Sequence, residues 1–270
     1  MDRYAVLGHP IKHSLSPQIH AAFARQTGEQ LEYEAIELPV TSFETRVWQM
    51  FRDGFKGFNV TVPFKKDAHD FADDLTERAK RAGAVNTLLQ QEDGRILGDT
   101  TDGAGLVYDL EDQLNWQITD RNILILGAGG AVRGILEPLL ERKPAQVVLA
   151  NRTLANAEKI TDDFPEIAPC SFEELTGHFD IIINGTSASL SGHLPPLPEG
   201  LVTPETCCYD MMYGKGETAF NKWAREQGAK ACADGLGMLV GQAAVSFEIW
   251  RGVKPEPGAV LDELRANLKP

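Results

Sequence analysis

The 270-residue chain predicts an α/β protein built from two α/β units, the second of them doubly wound. Three observations carry this expectation. Short apolar runs alternate with longer amphipathic stretches through both halves of the chain. A glycine-rich string stands near the middle, between an apolar strand pattern and a helical one. A helical stretch with apolar residues on most of its circumference lies near the C-terminus.

In the first half, residues 4–8 read as a strand, 17–27 as a helix, 33–38 as a strand, 43–53 as a helix and 58–62 as a strand. One helix is expected over 67–82. Strands at 85–90 and 95–98 flank Glu92-Asp93-Gly94 and read as a hairpin. The second series runs strand 123–126, helix 131–142, strand 146–150, helix 154–164 and strand 180–184, the order of a Rossmann-like unit. Residues 187–204, rich in Pro, Gly and Ser, read as a long surface loop before a strand at 207–210. The main boundary is expected near 102–120, with the final helices returning to the first unit.

Composition narrows the function classes. With 39 acidic residues against 26 Lys and Arg, the net charge of −13 repels a phosphate backbone, and no basic stripe interrupts it. No nucleic-acid partner is expected. The N-terminus lacks the long apolar segment of a secretory signal, and no apolar run approaches a membrane span, so the expectation is a cytoplasmic protein without membrane attachment. Cysteines at 170, 207, 208 and 232 form no pair of CxxC clusters and read as reduced and structural; the six histidines make no metal-ligand pattern. No metal is expected. An anionic ligand would need isolated cations or helix N-termini.

Such a terminus is present at Gly127-Ala128-Gly129-Gly130-Ala131, directly after an apolar strand and opening a helix. Gly127 suits the tight turn, while Gly129 and Gly130 allow backbone amides to approach a pyrophosphate. The plainer reading is a βα turn that needs positive φ. The next strand ends in Asn151-Arg152-Thr153, where an NAD site usually offers an acidic residue to the ribose. Arg152 would attract a 2′-phosphate instead, with Asn151 and Thr153 adding hydrogen bonds, which favours NADP. The alternative makes Thr153 a helix N-cap and Arg152 a solvated residue.

The first half holds further polar groups. Ser16 reads as an N-cap before Pro17 at the first helical position, and with Ser14 and the free amides it makes a receptor for a carboxylate. Asn59-Val60-Thr61-Val62-Pro63-Phe64-Lys65 alternates along a strand, placing Asn59 and Thr61 on one face. Lys65 then opens a helix, where the macrodipole disfavours a cation; such violations often mark functional sites. Lys66 reads as solvated. Asp102, preceding a helical pattern, reads as an N-cap by local mechanics alone. Asn86 lies in an expected strand, facing an edge or a ligand. Gln242 falls among apolar helical residues and needs a partner, from the protein or from a ligand.

In ordered combination, these segments resemble the shikimate dehydrogenase family along nearly the whole chain. The carriers run from Gly8-His9-Pro10-Ile11-Lys12-His13-Ser14-Leu15-Ser16-Pro17 through the 59–65 segment, Gly83-Ala84-Val85-Asn86-Thr87 and Gly98-Asp99-Thr100-Thr101-Asp102-Gly103 to Asp234-Gly235-Leu236-Gly237-Met238-Leu239-Val240-Gly241-Gln242-Ala243. The resemblance implies Lys65 and Asp102 as a catalytic pair. It places Ser14, Ser16, Thr61, Asn86, Asp102, Tyr213 and Gln242 around shikimate. It puts NADP against Gly127, Ala128, Gly129, Gly130, Ala131, Asn151, Arg152 and Thr153, with Thr186, Ser187, Met211, Gly235 and Met238 at the nicotinamide end and Glu77 near the cofactor. It divides the chain into a substrate-binding and catalytic unit at 1–102, an NADP-binding Rossmann-like unit at 103–234, and returning helices at 235–270.

The implied reaction is reversible reduction of 3-dehydroshikimate to shikimate, on the route to chorismate and the aromatic amino acids, by a monomer or homodimer. Two departures stand out: His9 replaces a usual Asn, and in Asn184-Gly185-Thr186-Ser187-Ala188-Ser189 the family more often has Ala after the Asn and Gly at position 189. Two alternatives remain open at this point. One is a quinate/shikimate dehydrogenase using NAD or NADP; the other is a non-catalytic NADP sensor, against which the presence of both Lys65 and Asp102 speaks.

Overall fold

The structure, a computed structural model, describes residues 1–188 and 192–268. The first sheet is built from β1 (Asp2–Gly8), β2 (Leu31–Glu37), β3 (Phe55–Val60), β4 (Asp74–Leu75), β5 (Thr87–Gln90) and β6 (Ile96–Asp99), in the order β2-β1-β3-β5-β6-β4. β1 pairs in parallel with β2 and β3; β5 pairs antiparallel with β3 and β6, forming the expected hairpin. Helices α1 (Ser16–Thr27), α2 (Phe43–Arg52), α3 (Lys65–Phe71) and α4 (Glu77–Ala82) connect these strands. Phe43, Phe51, Phe55, Phe58 and Phe64 fill the core beneath α2 and α3.

The single helix expected over 67–82 is broken into α3, β4 and α4. Ala72 is extended, and the Asp73 carboxylate accepts from the Ile96 amide at 2.8 Å while Asp73 N–H donates to Ile96 O. These bonds draw the chain onto β6, and Thr76 starts a fresh helix by accepting from Ala79 N–H. Helical periodicity could not register a strand whose partner is β6.

After α5 (Asp102–Val107) and a π-helical turn (Tyr108–Gln113), the second sheet comprises β7 (Asn122–Leu126), β8 (Gln146–Asn151), β9 (Ile167–Ser171), β10 (Ile181–Asn184), β11 (Cys207–Asp210) and β12 (Ala231–Asp234). Helices α6 (Gly130–Glu141), α7 (Leu154–Thr161) and α8 (Ala219–Glu226) accompany it. All its pairings are parallel, in the order β12-β11-β10-β7-β8-β9. The order reverses between β7 and β10, and the crevice at such a switch point is where open α/β sheets bind ligands. Strand alternation divides β7 between two cores: Ile123 and Ile125 face one, Leu124 and Leu126 the other. The sequence reading gave no place to β9, α8 or β12.

Helix α9 (Leu236–Arg251) packs Val240, Ala243 and Phe247 against Ile19 and Phe23 of α1, and α10 (Pro257–Leu268) covers it with Val260 and Leu261. Trp250 Nε1 donates to Leu88 O at 3.0 Å, fastening α9 to the first sheet. A Cβ on Gly105 would lie 2.6 Å from Gln242 N, so α5 and α9 cross where only glycine fits.

Candidate active site

Lys65 and Asp102 each begin a helix, α3 and α5, and the Lys65 ammonium donates to Asp102 Oδ2. Both side chains are largely enclosed. A cation at a helix N-terminus opposes the macrodipole, and the carboxylate supplies the compensation. Asp102 is not the cap that its local sequence suggested: Thr101 holds the N-cap position, leaving the carboxylate for two donors from other elements. The second donor is Asn86 Nδ2, 3.0 Å from Asp102 Oδ1.

Asn86 stands just before β5 rather than inside a strand, and its amide is the junction of the site. Nδ2 lies 2.9 Å from Thr101 Oγ1 and 3.2 Å from Gln242 Oε1, while Oδ1 accepts from Thr101 N–H at 2.8 Å and Thr87 Oγ1 at 2.9 Å. Gln242, from α9, also donates to Leu239 O, so its expected partners are supplied by the protein itself.

A second network, which the sequence pointed to only by the alternation of Asn59 with Thr61, centres on Asn59. Its Oδ1 accepts from Tyr33 OH at 2.7 Å and faces His20 Nε2 at 3.2 Å; its Nδ2 reaches Ser246 Oγ, Thr87 Oγ1 and Asn86 O. His20 stacks on Tyr33 with centroids 4.1 Å apart, and burial pushes its pKa from 6.5 to about 3. Burial raises the Tyr33 phenol well above its ordinary value, beside the Ser16 side chain. Thr61 follows β3, half-buried, with its amide on Leu7 O.

Ser16 does not cap α1. It is the first helical residue, and the Ser14 hydroxyl accepts from the Ser16 amide at 3.2 Å. The Ser14 hydroxyl thus shapes the turn before α1. Tyr213 is half-buried against the α9 core.

At the carboxyl end of β7, Gly127 adopts φ 103° and its amide donates to Ala150 O, while Gly129 caps α6. A Cβ at Gly129 or Gly130 would meet nothing within 4 Å, so their backbone opens on free space at a helix N-terminus. Ala128 and Ala131 pack on the core behind. A Cβ on Gly127 would lie 3.1 Å from Thr186 Cγ2, and Thr186 is tied to Asn184 Oδ1 by its amide and hydroxyl. Met211 and Met238 share the adjoining core, and Gly235 presses against the Met211 backbone. Ser187 is exposed; position 189, where the family usually has Gly, lies outside the described residues.

Asn151 ends β8 and donates to Thr153 O at 2.9 Å. Thr153 takes the N-cap position of α7 without a side-chain capping bond. Arg152 is exposed and, among the described residues, has no ion-pair partner, so its guanidinium is available to a phosphate. The open glycine amides and this cation suit a phosphorylated dinucleotide. Glu77 is exposed and pairs with Lys80 of its own helix at 2.6 Å. Among the described residues, no cluster of His, Cys, Asp or Glu suits a metal ion, no helix is long and apolar enough to cross a membrane, and the four cysteines are free.

Comparison with known proteins agrees along the chain. Residues 6–88 match the shikimate dehydrogenase substrate binding domain, 109–191 the shikimate / quinate 5-dehydrogenase family, and 235–265 the shikimate 5'-dehydrogenase C-terminal domain. The shikimate dehydrogenase (NADP(+)) of Cellvibrio japonicus is 54% identical over 99% of this chain and 98% of that protein. Among solved structures, an Ael1 enzyme from Pseudomonas putida superposes with a TM-score of 0.93 at 46% identity, covering 98% of each chain. The shikimate 5-dehydrogenase of Thermus thermophilus, in complex with NADP(H) and shikimate, gives 0.88 at 34% identity, covering 98% of this chain and 99% of that one. With curated relatives above half identity across almost its full length, the chain belongs to the shikimate dehydrogenase family.

Proposed function

We propose that the protein is an NADP-dependent shikimate dehydrogenase that reversibly reduces 3-dehydroshikimate to shikimate, on the route to chorismate and the aromatic amino acids. The observation that carries this reading is the Lys65–Asp102 pair, bonded to Asn86, whose amide Thr101 and Gln242 hold, in a chain whose second sheet carries an open glycine turn. Close full-length relatives are NADP(+) shikimate dehydrogenases, which supports the same activity.

In this reading residues 1–102 carry the substrate, 103–234 the dinucleotide, and 235–270 return to brace the substrate unit. Gly127, Ala128, Gly129, Gly130 and Ala131 would hold the pyrophosphate, Asn151, Arg152 and Thr153 the 2′-phosphate, and Thr186, Ser187, Met211, Gly235 and Met238 the nicotinamide, with Glu77 nearby. When bound, NADPH supplies the hydride for the ketone carbon. Lys65 gives a proton to the developing alkoxide and takes it back in the reverse direction. Asp102 keeps the ammonium in place and holds the neighbouring substrate hydroxyl. Ser14 and Ser16 receive the carboxylate, and Thr61, Asn86, Tyr213 and Gln242 contact the rest of the substrate. The enzyme works in the cytoplasm as a monomer or homodimer.

The test follows absorbance of NADPH and NADH with 3-dehydroshikimate, and of the oxidised cofactors with shikimate and quinate. Turnover with shikimate and NADP is the expected result; equal or better turnover of quinate would replace the substrate assignment, and binding without turnover would make the protein a sensor.

A further inference from the structure

We propose that Gly134 is a positioning residue: through its bare Cα, helix α6 seats Asp102 so that its carboxylate meets Lys65. The proposal rests on the dehydrogenase reading of that pair. Gly134 is buried in the second turn of α6, the helix that the glycine turn opens. A Cβ there would lie 3.1 Å from Asp102 Oδ2, the oxygen that takes the Lys65 ammonium, and 3.1 Å from Thr100 Oγ1. Asp102 Cβ is next, at 3.5 Å. The nearest atoms thus all belong to the 100–102 segment. A glycine at the start of a dinucleotide-binding helix ordinarily serves close packing on its own strand; this one makes room for a carboxylate of the other half.

The contact is reciprocal. A Cβ on Gly103 would lie 2.6 Å from Pro138 Cγ and 2.9 Å from Gly134 O. Pro138 has no N–H, so the Gly134 carbonyl lacks its usual donor one turn along and faces α5 instead. Arg133 and Glu137 extend the same interface. Arg133 Nε donates to Ala82 O at 2.6 Å, and Glu137 pairs with Arg81, both partners lying on α4. Residues 133, 134, 137 and 138 therefore lie at helical spacing along one interface, tying α6 to the segments that carry Asn86 and Asp102. Because the first turn of α6 also presents the open amides of Gly129 and Gly130, one short helix links the dinucleotide end to the proton-transferring pair.

The test is Gly134→Ala in the full chain, read by four measurements: kcat and KM, NADPH affinity by fluorescence, Tm, and a crystal structure of the variant. Alanine is favoured over glycine inside a helix, so Tm should hold or rise while Asp102 is displaced. Expected are a fall in kcat of about tenfold or more, since sub-ångström misplacement weakens an oriented pair, unchanged NADPH affinity, and an altered Lys65–Asp102 contact in the crystal. Adding Gly134→Ala to Asp102→Asn should cost nothing further. Asp102 remaining at its wild-type position against Lys65, or fully multiplicative losses, would overturn the proposal. A fall in Tm with parallel loss of NADPH affinity would also overturn it, making Gly134 a packing residue. If the wild-type protein fails to reduce 3-dehydroshikimate, the functional reading falls alone, and the crystal structure still decides the positioning.

Discussion

Asn86 and Gln242, 156 positions apart, meet with amide nitrogen and amide oxygen 3.2 Å from each other. The contact joins α9 to the segment before β5, and Thr101 Oγ1 reaches the same Gln242 oxygen at 3.3 Å. Gln242→Ala removes that shared acceptor; Asn86 Nδ2 keeps Asp102 and Thr101 Oγ1 keeps Ser246, so the loss is that of a net hydrogen bond, about 0.5–1.5 kcal/mol. The variant should therefore show a lower Tm and a higher shikimate KM, with NADPH affinity retained. Thermal unfolding beside steady-state kinetics checks this; an unchanged Tm would mean that Asn86 and Thr101 satisfy each other.

Lys65 and Asp102 should act as one unit. Lys65→Ala is expected to lower kcat by roughly 10²-fold or more, the usual scale for a positioned acid or base, with a smaller change in shikimate KM. Asp102→Asn should lower kcat and weaken substrate as well. The double variant should be less impaired than the product of the single losses. Near-wild-type turnover of Lys65→Ala would remove the lysine from proton transfer.

Arg152 lies exposed just beyond the end of β8, with no ion-pair partner among the described residues. Arg152→Ala should weaken NADPH far more than NADH, because only the former carries the 2′-phosphate. Fluorescence titration with both cofactors measures the difference, and equal losses would reassign the guanidinium to solvent.

Ser14 holds the turn before α1 by accepting from the Ser16 amide. Ser14→Ala should raise shikimate KM while NADP binding stays nearly intact. Kinetics with shikimate varied at saturating NADP reads this directly. An unchanged KM would confine both serines to shaping the turn.

Acid should destabilise the fold through His20. Its folded pKa is depressed to about 3, so as pH falls below about 6.5 the unfolded chain binds a proton that the folded chain refuses, and stability is lost down to about pH 3. Asp109 acts in the opposite sense: burial raises its pKa to about 6, so between there and its unfolded value the folded chain holds the extra proton and acidification adds stability. The His20 shift is the larger. Between pH 7 and pH 5 it removes about 2 kcal/mol, at about 1.4 kcal/mol per unit. His20→Phe keeps a ring against Tyr33 and should abolish that loss, shifting the stability difference between the two pH values in favour of pH 5 when read by urea unfolding. An unaltered difference would place the acid sensitivity elsewhere.

What the sequence determined by itself was a part of what local order carries. The alternation along β7, the glycines that open α6, and the end of β8 just before the exposed Arg152 are each legible within a few residues, because one strand, one turn and one helix start produce them. Lys65 at a helix start was legible as a violated rule. The tertiary structure alone decided how Asp102 is used, since an acidic residue before a helix serves as a cap or as a partner depending on what the fold brings near. It also decided the break of 67–82 into α3, β4 and α4, where hydrogen bonds to β6 override helical propensity. Asn59 and Gly134 belong to the same class: one becomes a hub because His20, Tyr33 and Ser246 converge on it, the other a seat for Asp102 because α5 crosses α6 there. Their roles reside in contacts between segments distant in the chain, and no local pattern encodes the packing that creates them.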